Sequence, residues 1–187
     1  AAQYGLKPVH CESVAGYVWI CLAKEAPDFE TFRAGAMPYL APHGLKNTKV
    51  AFESTIVEKG NWKLVWENNR ECYHCAANHP ELCRTYPEAP TATGVQGAKD
   101  DPVIAEHWAK CEAEGLPSEF RMSPTGQFRA ARMPLVDDAE SYTMSGASAV
   151  KRPLSTDVLQ RNIGTLLMFH YPTTWNHVLT DHAITFR

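Results

Sequence analysis

The C-terminal stretch confines the fold most tightly. "IGTLLMFHYP" (Ile163–Pro172) and "TWNHVLTDHAITFR" (Thr174–Arg187) are β-branched and aromatic runs broken at Pro172. They read as strands of an antiparallel meander, with Thr180-Asp181 near a further turn. Upstream, "EFRMSPTGQFRAARMP" (Glu119–Pro134) has the look of a hairpin turning at Pro124-Thr125-Gly126. "SYTMSGASAV" (Ser141–Val150) is a further candidate strand, and "SVAGYVWICLA" (Ser13–Ala23) reads as one buried strand. "KVAFESTIVEKG" (Lys49–Gly60) alternates apolar and polar residues, as a half-buried strand does.

Helices are expected in two places. One starts at Asn61 as N-cap, with Trp62, Val65, Trp66, Asn69 and Tyr73 at helical spacing, and ends or bends at Pro80 near His79. The other is "DPVIAEHWAKCEAE" (Asp101–Glu114), with an Asp cap, a proline in the first turn and Gly115 as stop. Lys24–Gly44, rich in proline and glycine, reads as a linker or wrapping loop. The sum is α+β: an antiparallel sheet with packed helices.

With 187 residues, 44% hydrophobic and 21% charged, the chain has the composition of a soluble globular protein. A net charge of −3 gives no basic footprint for nucleic acid, and no apolar run is long enough to span a bilayer. Six cysteines are too sparse for a disulfide scaffold, which points to a reducing cytoplasm. The chain opens without Met and stops within a strand-like run, and so reads as an internal segment of a longer protein.

The chemistry is concentrated in Glu67–Cys83, "ENNRECYHCAANHPELC". Cys72, Cys75, His79 and Cys83 approach a zinc-knuckle spacing, although the segment continues an amphipathic helix and leaves His74 without a role. Cys72 or Cys75 beside His74 could pair as thiolate and imidazolium, but no orienting third group is defined. In an iron reading, Glu71 and His74 share a helix face, and a break at Asn78-His79-Pro80 brings His79 to the same metal. Two imidazoles and a carboxylate form the facial set of non-haem Fe(II) oxygenases. On spacing alone, two histidines at a helix end are more often ordinary polar residues.

The surrounding residues change that balance. "GNWKLVWENNRECYHCAANHPELC" resembles the catalytic-domain motif of Rieske-type non-haem iron oxygenase α-subunits, on the branch that oxidises quaternary ammonium compounds. The likeness extends to "PVHCESVAGYVWICLA", "MPYLAPHGLKNTKVAFESTIVEKGNWK" and "GTLLMFHYPTTWNHVLTDHAITFR". It implies that residues 1–23 end a Rieske domain, 24–48 join it to the next, and 49–187 form part of a helix-grip catalytic domain. It also implies Fe2+ on His74 and His79, with Glu71 as the bridge by which electrons arrive from the cluster of a neighbouring subunit in a homotrimer. Electrons would come from NADH through a separate reductase and a [2Fe–2S] cluster. The substrates would be O2 and glycine betaine, stachydrine, carnitine or choline.

Two departures stand beside the likeness. The only C-x-H is Cys72-Tyr73-His74 and no C-x2-H occurs, so ligands for a Rieske cluster are absent. The family's carboxylate iron ligand lies beyond "HAITFR"; Asp181 is read instead as a solvated turn residue. The segment alone is therefore expected to be inactive. A quaternary ammonium calls for aromatic faces, and Trp175, Phe169, Tyr171 and Tyr73 are the candidates. Asn176 or His177 would serve a carboxylate. The competing reading is a zinc-knuckle-like or ligand-binding module without catalysis.

Overall fold

The computed structural model describes residues 4–71, 73–87, 95–154, 157–158 and 160–187. Its centre is an antiparallel sheet in simple sequence order: β3 (Arg121–Met122), β4 (Phe128–Met133), β5 (Thr165–His170), β6 (Thr174–Val178) and β7 (Ala183–Phe186), preceded in the chain by a separate hairpin of β1 (His10–Val14) and β2 (Tyr17–Cys21). The expected α+β architecture, the hairpin at Pro124-Thr125-Gly126 and the C-terminal meander are all present. Gly126, at φ 73°, makes the β3–β4 turn, its N–H donating to the Ser123 carbonyl at 2.9 Å.

Alternation along the strands divides the sheet into two buried faces. On one, Phe128, Ala130, Leu166, Met168 and Val178 pack against Val14 and against Phe32, Ala36, Tyr39 and Leu40 of α1 (Phe29–Leu40). On the other, Ala131, Met133, Leu167 and Phe169 pack against Trp66 of α2 (Trp62–Arg70) and, beyond the one-turn α3 (Cys75–Asn78), against Ile104 and Trp108 of α4 (Pro102–Ala113). Helices on both sides thus enclose the meander. Asp101 caps α4 as expected, accepting from the N–H groups of Val103 and Ile104. Among the described residues no helix is long and apolar enough to cross a membrane.

Four expectations need correction. Ser13–Ala23 is not one strand: the chain reverses at Ala15 and Gly16, both at positive φ, inside what reads as a single apolar run. Lys24–Gly44 is not a loop. Asp28 caps α1 by accepting from the Glu30 N–H, and Phe32, Ala36, Tyr39 and Leu40 form an apolar stripe, with Pro27 and Pro42 outside the helix and Pro38 in its last turn. Residues 50–58 form no strand, and Val50, Phe52, Ile56 and Val57 are 79% to 83% exposed. Alternation supplies an apolar face, but among the described residues no strand pairs with this segment. Ser141–Val150 is a chain of bends whose hydroxyls compete with strand pairing; the Thr143 hydroxyl donates to the Ala147 carbonyl at 2.7 Å.

Burial of histidines sets the acid response. His43 is fully buried and its Nε2 accepts from Arg132 Nη2 at 3.1 Å. Burial first, and Arg132 second, hold His43 well below the ordinary histidine value, and burial also lowers His107. The unfolded chain takes up protons as pH falls through about 6.5, while these folded imidazoles resist doing so. Stability is therefore full above that pH and declines below it, by up to about 1.4 kcal/mol per pH unit for each such histidine. Urea unfolding followed by fluorescence should show a lower midpoint at about pH 5.5 than at about pH 7.5; an unchanged midpoint would contradict this account.

Candidate metal centre

The segment from Asn61 to Cys83 is built on one anchor. Asn61 caps α2, its side chain accepting from the Lys63 N–H at 3.0 Å. Within α2 only Trp66 is buried, and its ring meets Phe169 at 5.7 Å, Tyr171 at 5.5 Å and Trp175 at 5.7 Å, all edge-on. After that anchor little packing sustains the helix, and it stops at Arg70. Glu71 is extended (φ −104°, ψ 145°), and α3 follows with His74 before it and His79 after it. The expected break at His79 is therefore present, but the helix has already ended at Glu71, so Glu71 and His74 do not share a helix face.

The broken path nevertheless gathers these groups. The imidazole centroids of His74 and His79 lie 5.4 Å apart at 78°. The His79 N–H donates to the Cys75 carbonyl at 2.7 Å, and the Asn78 amide donates to the His74 carbonyl at 3.0 Å, which fixes the turn between the two rings. Glu71 Oε1 is 3.9 Å from His74 Nδ1, within ion-pair reach but beyond hydrogen-bond length. His74 Nδ1 is buried and has no hydrogen-bond partner among the described residues. A buried nitrogen without a hydrogen-bond partner, beside a second imidazole and a carboxylate, fits the donor set of a metal ion. Among the described residues no group of three or more His, Cys, Asp or Glu is assembled to hold a metal ion. Cys72, part of the zinc and thiolate readings, lies outside the described residues.

The expected substrate contacts separate by strand register. Phe169 pairs with Trp175 across β5 and β6, and both face Trp66. Trp175 stacks on Phe186 at 5.0 Å. Tyr171 is partly open and touches Trp62 and Trp66, while Tyr73 is 85% exposed and 6.3 Å from the His74 ring. Asn176 lies on the opposite face, fully buried, its Oδ1 accepting from the Thr185 hydroxyl at 2.9 Å. It cannot meet a ligand among these rings.

His177 returns to the Trp175 face, but in a different role from the expected donor. The Tyr142 hydroxyl donates to Thr165 Oγ1 at 3.0 Å and lies 2.9 Å from His177 Nδ1. Its one proton is already used, so Nδ1–H donates to Tyr142 and Nε2 is an acceptor. Burial, then the neighbouring His182, hold this imidazole down to about 4, neutral at pH 7. Such a ring offers a carboxylate no hydrogen from Nε2. Asp181 also departs from expectation: it is buried, not solvated, and accepts from the Ala149 N–H at 2.9 Å and from His182 Nδ1 at 2.7 Å.

Trp66 and Arg129 had no assigned role in the sequence. Arg129 sits on the Trp66 side of β4 with its guanidinium 4.3 Å from the Phe169 ring centroid, covering that face. The signal for it lies in "FRAARM", where an arginine shares an alternation phase with Ala131 and Met133.

Known proteins resemble this chain along most of its length. Residues 45–187 match the family described as ring hydroxylating alpha subunit (catalytic domain). The chain is 39% identical over 188 residues to the glycine betaine monooxygenase oxygenase subunit of Pseudomonas aeruginosa, covering 98% of this chain and 43% of that protein. The protein of the same name in Chromohalobacter salexigens is 37% identical over 187 residues, covering 98% of this chain and 41% of its own length. The carnitine monooxygenase oxygenase subunit of Escherichia coli is 35% identical over 77 residues, 40% of this chain and 21% of that protein. The chain thus spans less than half the length of these relatives.

Proposed function

Because the chain belongs to the ring-hydroxylating α-subunit family through its catalytic domain, we propose that it is the iron-bearing part of a monooxygenase acting on a small quaternary ammonium compound. The observation that carries this reading is the pairing of His74 and His79, with the buried Nδ1 of His74 unsatisfied. The names of the relatives, glycine betaine and carnitine monooxygenase oxygenase subunits, support the substrate class.

His74 and His79 would hold Fe2+, with a carboxylate from outside these residues as third ligand. Iron bound there supplies the one-electron and O2 chemistry that side chains lack. Glu71, its carboxylate 3.9 Å from His74 Nδ1, is the residue proposed to pass electrons toward that imidazole. The chain's own cysteines and histidines do not fit a [2Fe–2S] cluster, since no C-x2-H occurs. The cluster, NADH, a separate reductase and a homotrimer enter the proposal only as features of the longer protein, which is read as cytoplasmic.

Trp66, Trp175 and Tyr171 shed water from this side of the sheet and offer faces to an ammonium that can donate no hydrogen bond. The overall change inserts one oxygen atom of O2 into an N-methyl C–H bond, while two electrons and two protons reduce the other atom to water. The hydroxymethyl group then breaks its C–N bond. The electron pair stays on nitrogen, formaldehyde leaves and the hydroxyl proton passes to solvent. The natural full-length protein with a reductase should therefore consume O2 and release formaldehyde in equal amounts with at least one of glycine betaine, stachydrine, carnitine and choline. Absence of uptake with all four would overturn the substrate class.

A further inference from the structure

Arg129 is an arginine in the wrong surroundings for a merely structural cation. It is half-buried on the Trp66 face, and its guanidinium lies over Phe169. Among the described residues its N–H groups meet no hydrogen-bond acceptor and no carboxylate forms an ion pair with it. Arg70 lies one helical turn after Trp66, on the same side of α2. It brings a second positive charge near the first: burial, then Arg70, lower Arg129 to about 10. The guanidinium keeps some contact with solvent, and a half-buried cation beside a second one is stabilised by a bound anion.

The register supplies the rest. Arg129, Phe169, Trp175 and Phe186 are successive cross-strand partners on β4, β5, β6 and β7, so one row runs from a cation into aromatic rings, with Trp66 laid across its middle. That order is the mirror of a betaine, which carries an anionic carboxylate at one end and an apolar-clad ammonium at the other. The two donors expected from sequence are unsuited, Asn176 by its face and His177 by its tautomer.

We infer that Arg129, supported by Arg70, anchors the carboxylate of a zwitterionic quaternary amine, with the ammonium end turned toward Trp66 and Trp175. A planar fork suits a carboxylate bidentately, whereas an alcohol offers it no charge. The inference rests on the quaternary-amine reading for the ammonium end; the anion site itself does not.

The test is equilibrium binding to the natural full-length protein, measured calorimetrically so that turnover is not needed. Arg129→Gln should weaken glycine betaine by about 10- to 100-fold, the worth of a charged hydrogen-bonded pair, and leave choline within about 2-fold. Arg129→Lys should recover part of the loss. Retained choline binding also reports that the variant is folded. If glycine betaine binds Arg129→Gln and wild type alike, or if both ligands weaken together, Arg129 is only a packing residue and the anchor is wrong. If wild type binds neither amine but binds acetate in an Arg129-dependent way, the anion site stands and the quaternary-amine reading fails.

Discussion

Alanine at His79 abolishes metal retention and lowers turnover of the natural full-length protein by more than about 100-fold, with little effect on folding. His79 lies on the surface after α3, its ring meeting His74 at 5.4 Å, and its main structural bond is made by its backbone N–H. Alanine keeps that N–H and removes only the imidazole. His74→Ala has the same effect on metal and costs slightly more stability, because the His74 side chain is only 15% exposed. Metal analysis after gel filtration checks both variants; iron retained at the wild-type level in His79→Ala would exclude it as a ligand.

Gly164→Ala produces the largest loss of stability expected of any glycine described here. Gly164 stands at φ +70°, immediately before β5, where an L side chain is strained. A Cβ there would lie 2.2 Å from the Met133 carbonyl oxygen and 2.7 Å from His107 Nε2. The first is backbone on the neighbouring strand and cannot swing away. Left-handed strain and overpacking together come to about 3–5 kcal/mol. For a domain of this size that lowers the melting temperature by about 6–20 °C. Gly126 is the control: at φ +73° it has the same handedness but nothing within 4 Å of the added atom, so Gly126→Ala should cost only about 1–2 kcal/mol. Equal melting temperatures for the two variants would remove the steric argument.

The contrast between these glycines explains what was legible in the sequence. Strands β4 to β7 announce themselves because short apolar and aromatic runs are bounded by turn residues, and α4 because Asp101 and Pro102 mark its start. Helix α1 was hidden by its prolines, which flank it or fall in its last turn, so composition and structure disagree there. Lys49–Gly60 carries a strand pattern without a strand, because pairing depends on a partner that no local pattern encodes. At the proposed site, the two histidines and Glu71 come from one motif, since their spacing is local. The tautomer of His177, the face of Asn176 and the company of Arg129 could not. Each depends on which residue lies across the sheet, a register set by residues far apart in the chain.

The most direct measurement is the electron paramagnetic resonance spectrum of the natural full-length protein, loaded anaerobically with Fe(II) and exposed to nitric oxide. A high-spin iron–nitrosyl signal in wild type that is lost in both His74→Ala and His79→Ala is the predicted result. Persistence of that signal in either variant would contradict a mononuclear iron held by this pair, as would a protein that takes up zinc and no iron.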